Sequence, residues 1–412
     1  MEVAEEIEIA IVGGGICGLA TALALHRKGL RSVVLERSES LRATGAAITI
    51  RPNGWRALDE LGVASKLRQT AVPLQGTTDI CLNSGKQREI PIGPNLIINY
   101  RGGETRCLKR TDLITALADS LPRGTIRLGC QALSVKLDSS TTSPSLHLQN
   151  GSSIKAKVLI GCDGANSVVA DFLDLKPTKL FSLSAVRGFT MYPSGHNFEN
   201  KFVQVRSDKC TVGRMPIHNK LVYWVVIQRV MYGRGGLEVP KDPELIQQLT
   251  LEAVKDFPSE TIDMISNSDI ESLSKSRLRY RSPWDILAGN FRKGSVTVAG
   301  DAMHPMGPFL AQGGAVGIED SVVIARCLAQ KLAENYDKKS RAKHIMMMEV
   351  EEALDKYVKE RRMRLVQLST QSFLAGLLHQ DSSGLVKFLC VILMAALFRD
   401  MNRSTRFDCG RL

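Results

Sequence analysis

The sequence predicts an α/β protein, α+β taken over its whole length, in which a Rossmann-like nucleotide-binding unit is interrupted by a sheet of a different kind. Three observations carry this. An apolar strand runs into a glycine-rich turn and a helix at the N-terminus. A β-branched run closing on Gly-Asp stands roughly 290 residues later. Between them lies a long stretch whose apolar and polar residues alternate as in a sheet covered on one face.

The first unit begins with Glu8-Ile9-Ala10-Ile11-Val12, short and apolar as a buried strand must be. Gly13, Gly15 and Gly18 then satisfy G-x-G-x-x-G, and Ile16 to Lys28 reads as a helix ending near Gly29. Gly13 allows the tight turn, Gly15 lets a pyrophosphate approach the backbone, and Gly18 lets helix pack on strand. Arg31 to Leu35 predicts the second strand, and it closes on Glu36. That acid stands 23 positions after Gly13, near the roughly 20 at which a carboxylate accepts ribose hydroxyls. The three glycines alone would be a weak signal. With strand, helix and acid in order they predict a dinucleotide site that includes Ile16 and Arg37.

Further elements follow in order. Thr44 to Ile50 predicts a strand, and Asn53 opens a helix to Leu61-Gly62. Residues 74–100 predict paired strands around the Asn83-Ser84-Gly85 turn. Arg110-Thr111-Asp112-Leu113 opens a helix to about Ser120, with Thr111 or Asp112 as its cap. Ile126 to Leu137 and Ser145 to Gln149 predict a hairpin, and Val158 to Cys162 a strand ending at Asp163-Gly164. Phe181 to Gln228 predicts the one-sided sheet, followed by a helix near Glu244 to Lys255.

The second signal is Val296 to Pro308, followed by Gln312-Gly313-Gly314 and Gly317-Ile318-Glu319-Asp320. A carboxylate at a strand end, Asp301, beside a helix N-terminus rich in free N–H groups, can hold a sugar hydroxyl and an electron-rich ring edge together. Paired with the fingerprint, this predicts a flavin. From Ser340 the pattern is helical, and the Tyr357…Arg361…Arg364 face reads as packing and surface. Phe388 to Phe398 is continuously apolar. Eleven residues fall short of the roughly 20 that span a bilayer, so a buried helix is expected, with peripheral membrane contact as the lesser reading.

Composition narrows the class. A chain of 412 residues holds two or three structural units with ample core. The formal charge of +12 is spread along the chain without a basic, aromatic-interleaved tract, which argues against a nucleic-acid partner. Nine cysteines without a C-x-x-C point away from disulfides and metal and toward a reducing, cytoplasmic setting. The acidic start, Met1 to Glu6, runs straight into the first strand and predicts no signal or transit peptide.

Three ordered segments carry a family resemblance: Gly13 to Gly18, Cys162-Asp163-Gly164-Ala165-Asn166-Ser167, and Gly300-Asp301 through Asp320. The chain resembles the class A flavoprotein aromatic hydroxylases, the p-hydroxybenzoate and salicylate hydroxylase group, in its plant salicylate-hydroxylase-like branch. The resemblance implies a glutathione-reductase-type FAD/NAD(P)-binding domain from residues 1–73, 101–180 and 280–339. It implies a substrate domain from 74–100 and 181–279, and a helical region over 340–412. It further implies that Gly13, Gly15, Gly18 and Glu36 hold the AMP half of FAD, that Arg110 reaches FAD, and that Asp301 binds the ribitol. The helix near Gln312, Gly313 and Gly314 would face the flavin N1–C2 carbonyl edge, and Asp163 would lie near the pyrophosphates. The chain departs from the family in one place: Ala170 stands where the Asp-Gly motif ends in arginine.

The implied reaction uses NAD(P)H and O2 to hydroxylate an aromatic or phenolic molecule through a flavin C4a-hydroperoxide, with or without decarboxylation. Epoxidation or oxidation of a non-phenolic natural product is the alternative, and a non-catalytic FAD-fold binding protein the third reading. Retention of Asp301, Pro308, Gln312 and Gly313 speaks against the third, since those positions serve the redox-active ring. No catalytic base can be named. His304, Pro308 and Tyr223 are the candidates, His304 either shaping its turn or moving a proton. Arg42 stands as a cofactor contact or a solvent-exposed residue. Tyr223 and Trp224 alternate on one strand, so one of them can line the pocket.

Overall fold

A computed structural model describes residues 5–41, 46–91, 104–138, 143–230, 240–333, 343–380, 382–398 and 404–412. Strand β1 (Glu5–Val12), helix α1 (Ile16–Arg27) and β2 (Val33–Leu35) form a β-α-β start to the fold, the two strands parallel with Val12 opposite Leu35. β3 (Ala47–Ile50) leads into α2 (Pro52–Glu60), whose Pro52 sits where a helix needs no N–H donor. α3 (Ala64–Thr70) and β4 (Val72–Pro73) precede the hairpin β5 (Gly76–Cys81) and β6 (Gln87–Pro91). Gly85 turns that hairpin at φ +64. Residues 92–100 and 42–45, including the expected strand start at Thr44 and the candidate Arg42, lie outside the described residues.

β7 (Arg106–Lys109) passes directly into α4 (Arg110–Asp119). Neither Thr111 nor Asp112 caps this helix. The cap is Lys109, without a side-chain bond, because Ala46 O accepts from Arg110 N at 2.8 Å and fixes the first turn one residue earlier. β8 (Ile126–Arg127) leaves the expected hairpin as well. Gly129, at φ +66, turns the chain after it, so β8 pairs with β2 instead, Ile126 opposite Val34. The hairpin proper is β9 (Ala132–Leu137) with β10 (Pro144–Leu148).

β11 (Ser153–Gly161) and α5 (Val168–Phe172) are followed by β12 (Lys179–Met191), β13 (Lys201–Arg206), β14 (Cys210–His218) and β15 (Leu221–Arg229). Then come α6 (Pro243–Ala253), α7 (Ser259–Ser266), β16 (Ser274–Tyr280), α8 (Pro283–Ala288), β17 (Arg292–Lys293) and β18 (Val296–Val298). α9 (Gly313–Ala333), α10 (Lys343–His379) and α11 (Gly384–Leu397) complete the described helices.

Among the described residues the strands form three sheets. The first runs β17-β18-β11-β1-β2-β8, parallel from β18 to β8, with the β9–β10 hairpin added antiparallel to the first half of β11. Its strands are apolar on both faces because the sheet is buried in the main core shared with α1 and α9, and Ala10, Ile11, Leu159 and Ile160 have no exposure. The second sheet, β16-β12-β15-β14-β13-β5-β6, is antiparallel except at β13–β5. One face buries Val186, Trp224 and Val226 against α6 and α7. The opposite face turns toward the small sheet β3-β7-β4 and the Pro308–Leu310 turn, through Phe189, Tyr223 and Met215 at one end and Phe181, Leu278 and Phe309 at the other.

The C-terminal apolar stretch differs from expectation. α11 is not buried: Leu385 is 69% exposed and Phe388 62%, and Cys390 alone is fully covered. It follows α10 as the last described α-helix, and none of the described elements covers its outer side.

Candidate active site

The turn after β1 is shaped by steric necessity. Gly13 sits at φ +102, and a Cβ there would lie 2.5 Å from the Cys162 carbonyl oxygen. A Cβ on Gly18 would lie 1.9 Å from Gly13 O, so the two glycines let the first turn of α1 touch its strand. Gly15 is different: nothing lies within 4 Å of its missing Cβ. The space is open on the ligand side, and α1 starts with no side-chain cap and no acid in its first turn. Its N–H groups therefore face that space with the positive end of the helix dipole. Ile16, the first helical residue, is buried behind them.

Glu36 ends β2 almost fully buried, with Oε2 accepting from Gly14 N at 2.6 Å and Oε1 from Ser38 N at 3.0 Å. These bonds fix the carboxylate at the rim of the same space. Arg37 beside it is exposed. Across the sheet, Asp163 follows β11, and its Oδ2 accepts from Val168 N at 2.8 Å. Its Oδ1 is buried with no partner among the described residues. Burial raises the Asp163 carboxyl above its ordinary range, opposed by hydrogen bonds from Ser167 and the following backbone. Ala170 donates its N–H to Ser167 Oγ at 2.8 Å and is packed into the main core, where the family arginine would not fit unchanged.

The Gly300–Pro308 turn and α9 build the other half. Gly300 takes φ +59, and a Cβ there would meet Cys17 of α1 at 2.9 Å. Asp301 opens to the cleft, yet the protein around it raises its carboxyl, opposed by the nearby His304 and Arg110. Asp301 and Arg110, read separately from the sequence as cofactor contacts, lie near enough for the cation to lower the carboxyl. α9 has no acid in its first turn, and Gly313 has open space at its missing Cβ. Gly314 packs against Ile48 of β3, with Cδ1 2.5 Å from where its Cβ would stand. Gln312 is buried, and its Oε1 accepts from Asn53 Nδ2 at 2.8 Å. Pro308 is exposed toward the cleft, beside Phe309.

His304 has no exposure, and its Nε2 lies 2.5 Å from Asp320 Oδ2. Asp320 Oδ2 also accepts from Gly300 N at 3.0 Å, and Oδ1 from Arg361 Nε at 2.7 Å. Arg361 Nη2 reaches Glu319 Oε2 at 2.7 Å, while Glu319 Oε1 accepts from Asn53 Nδ2 at 2.6 Å and Arg364 Nη2 at 3.0 Å. Burial opposes the charge on Asp320, but His304 and Arg361 override it and hold the carboxyl far below the usual carboxylate range. The sequence pattern placed Arg361 and Arg364 as packing and surface residues. Both are buried, because they face two consecutive acids of α9 and not solvent. The acids Glu319-Asp320 were the available signal: two adjacent charges in an apolar helix require buried partners.

Tyr223 and Trp224 go to opposite faces as alternation requires. Trp224 is core, with Nε1 donating to Thr190 Oγ1 at 3.1 Å. Tyr223 faces the small sheet with its ring 5.5 Å from Phe189, and burial pushes its hydroxyl pKa up to about 12 despite the nearby Arg187. Arg187 was missed in the sequence. On β12 the residues of this face are Phe181, Leu183 and Ala185 in the cluster beside Phe309, then Arg187, then Phe189 in the cluster beside Ala46 and Ala47. The cation is half-buried between two apolar clusters, bonded to Ser276 Oγ at 2.7 Å and to Tyr223, with no carboxylate partner among the described residues.

A cradle open at Gly15, a rim carboxylate, an unpartnered Asp163 oxygen and an open helix end at Gly313 fit a flavin dinucleotide laid from α1 to α9. The description of a FAD binding domain matches residues 6–372. The chain belongs to that family. It is similar to "Monooxygenase 1" of Arabidopsis thaliana, 48% identical over 99% of this chain and 100% of that one. It is 30% identical to "3-hydroxybenzoate 6-hydroxylase 1" of Aquipseudomonas alcaligenes, over 88% of this chain and 87% of the relative. The fold is shared with Klebsiella pneumoniae HpxO, solved with FAD and uric acid: TM-score 0.77, 19% identity, 97% of this chain and 96% of that one. The protein is a FAD-dependent monooxygenase of the aromatic-hydroxylase type. No described helix is long and apolar enough to cross a membrane.

Proposed function

We propose that this flavoenzyme uses NAD(P)H and O2 to hydroxylate an aromatic or phenolic molecule that carries an anionic oxygen, with or without loss of a carboxylate. The observation that carries the reading is Arg187, a cation without an acidic partner among the described residues, set among apolar side chains on the sheet face that turns toward the small sheet and the Pro308–Leu310 turn. Such a position is costly for the protein alone and favourable once a carboxylate or phenolate arrives. The relative named for 3-hydroxybenzoate acts on a substrate of that kind.

Bound FAD supplies the electron transfer and oxygen activation that no side chain here provides. The balance is two electrons from NAD(P)H, one oxygen atom into the product and the other into water. The chain's own residues bind and orient. Gly13, Gly15, Gly18, Ile16 and Glu36 hold the adenosine end, with Arg37 at its rim. Asp163 and Arg110 would hold the pyrophosphate, and Asp301 the ribitol. The N–H groups of Gly313 and Gly314 support negative charge at the ring edge, as a helix N-terminus does. Pro308 would border the ring, and Gln312 is held by Asn53. His304 is a positioning residue, committed to Asp320. Tyr223 stays protonated near neutral pH, so it donates a hydrogen bond to the substrate oxygen, and Arg187 favours the ionised form of a phenol. The segments 1–73, 101–180 and 280–339 thus serve FAD, and 74–100 with 181–279 serve the substrate.

The test is a panel of hydroxybenzoates, phenols and neutral aromatics, scored for stimulated NAD(P)H oxidation and for product oxygen from ¹⁸O2. Stimulation confined to anionic aromatics, with label incorporated, is expected. Label from water, or flavin reduction by substrate without nicotinamide, would overturn the reading.

A further inference from the structure

α11 is the one described helix whose sequence and surroundings disagree. Of its residues Gly384–Leu397, Lys387 alone is charged, yet the helix lies mostly in solvent. It touches the protein along a single stripe: Lys387, Cys390, Met394 and the following Phe398, spaced three, four and four residues apart. Everything else points out, including Leu385, Phe388, Leu389, Ile392, Leu393 and Leu397, each 44% to 69% exposed. At 100° per residue the outward set spans roughly two-thirds of the helix circumference. So broad an apolar surface is not an ordinary feature of a soluble face.

The breadth of that arc distinguishes the possible occupants. A protein groove, or the same face of a second copy, engages one stripe of anchors at i, i+3, i+4 and i+7. Such a partner would leave the flanks of this helix wet. An acyl-chain layer closes around a helix from every outward side. Length decides between spanning and lying flat: 14 residues rise about 21 Å, short of the roughly 30 Å of a hydrocarbon core. Charge decides the lipid. The chain carries a net +12, and the residues that follow the helix directly in sequence include Arg399 and Arg403 against Asp400. Basic residues flanking an interfacial helix favour anionic headgroups.

We propose that α11 is an interfacial helix that seats the enzyme on an anionic phospholipid surface, its axis in the membrane plane and its outward face among the acyl chains. The preceding helix ends at His379, whose ring stacks on Phe309 at 5.2 Å and 12°. The seated helix is therefore one short connection from the Pro308–Phe309 turn that borders the cleft.

Flotation of the FAD-loaded full chain with vesicles tests this. Vesicles of equal phosphatidylcholine and phosphatidylserine should carry the wild type upward, and pure phosphatidylcholine should carry it less. The F388E/I392E variant changes two outward side chains of α11 that are exposed and belong to neither the flavin nor the substrate residues named above. Its partition coefficient should fall about tenfold or more, since one apolar side chain withdrawn from water is worth about a decade. Its FAD content and NAD(P)H oxidation in solution should stay unchanged. Wild type that floats with neither vesicle, or a variant that floats like wild type, would overturn the proposal. So would a wild-type dimer in light scattering that the variant dissociates while neither binds vesicles, which would assign the face to a second copy. Equal flotation on both vesicles would overturn the preference for anionic lipid.

Discussion

Replacing Arg361 with Met should unseat the flavin-side end of α9, although Arg361 stands on α10 and touches no part of the cleft. The side chain makes two charge-assisted bonds of 2.7 Å, to Asp320 and Glu319, and all three residues have no exposure. Met fills similar volume but strands two carboxylates, leaving Glu319 with Arg364 and Asn53 and Asp320 with His304 and Gly300 N. Removing one partner of a buried pair costs about 3–5 kcal/mol. At roughly 2 °C per kcal/mol for a large domain, Tm should drop by about 6–10 °C. The acid limb should move too. Asp320 is depressed below its ordinary 3.8 when folded, so its contribution is complete above that pH and is lost as pH falls. Without Arg361 one of the influences holding it down is gone, and the loss should begin at higher pH. Differential scanning calorimetry from pH 3 to 8, with FAD release followed by fluorescence, reads both effects. Adding Glu319→Gln to the Met variant should recover part of the loss, because one stranded charge is removed. A Tm within about 2 °C of wild type, with no change in the acid limb, would refute the argument.

Gly15→Val should purify with little flavin, since the added side chain enters the space open at Gly15, and full flavin content would remove the phosphate-cradle assignment. Asp301→Ala should weaken FAD binding and turnover together by about 1.5–3 kcal/mol, one charge-assisted hydrogen bond, read by FAD titration of apoprotein. Because the Asp301 carboxyl is raised above 3.8, FAD retention in the wild type should start to fall on acidification above that pH, and Asp301→Asn should flatten the profile. Arg187→Met should raise KM for a carboxylated or phenolic substrate about tenfold or more while leaving FAD content intact; a uniform loss of FAD would show that Arg187 only packs the sheet.

The nucleotide half was legible because its steric demands are local. Gly13 and Gly18 are needed within one turn, and Glu36 follows one β-α-β unit later, so spacing along the chain stands in for distance in space. Asp301 and Gly313 are legible for the same reason, lying twelve residues apart on one turn and one helix start. Boundaries were less so. Ile126 joins the parallel sheet because Gly129 turns the chain, a choice invisible to apolar alternation.

Arg187 and Arg361 escaped because their meaning is relational. A lone arginine in an alternating strand looks like a solvent-facing residue until both apolar clusters of its face are known to be covered. Arg361 looks like one more surface cation on a helix rich in them until α10 is laid against the acids of α9. In both cases the unbalanced charge is the clue, and the sign of the missing partner gives the function. Around Arg361 the acids are present, so the cluster is structural and ties α10 to the flavin turn. Around Arg187 no acid is found among the described residues, and its neighbours on the same face are apolar, which is what supports the proposal that an anionic substrate completes it. α11 inverts the same logic: there the environment, not the charge, is missing, and an apolar medium outside the protein completes it.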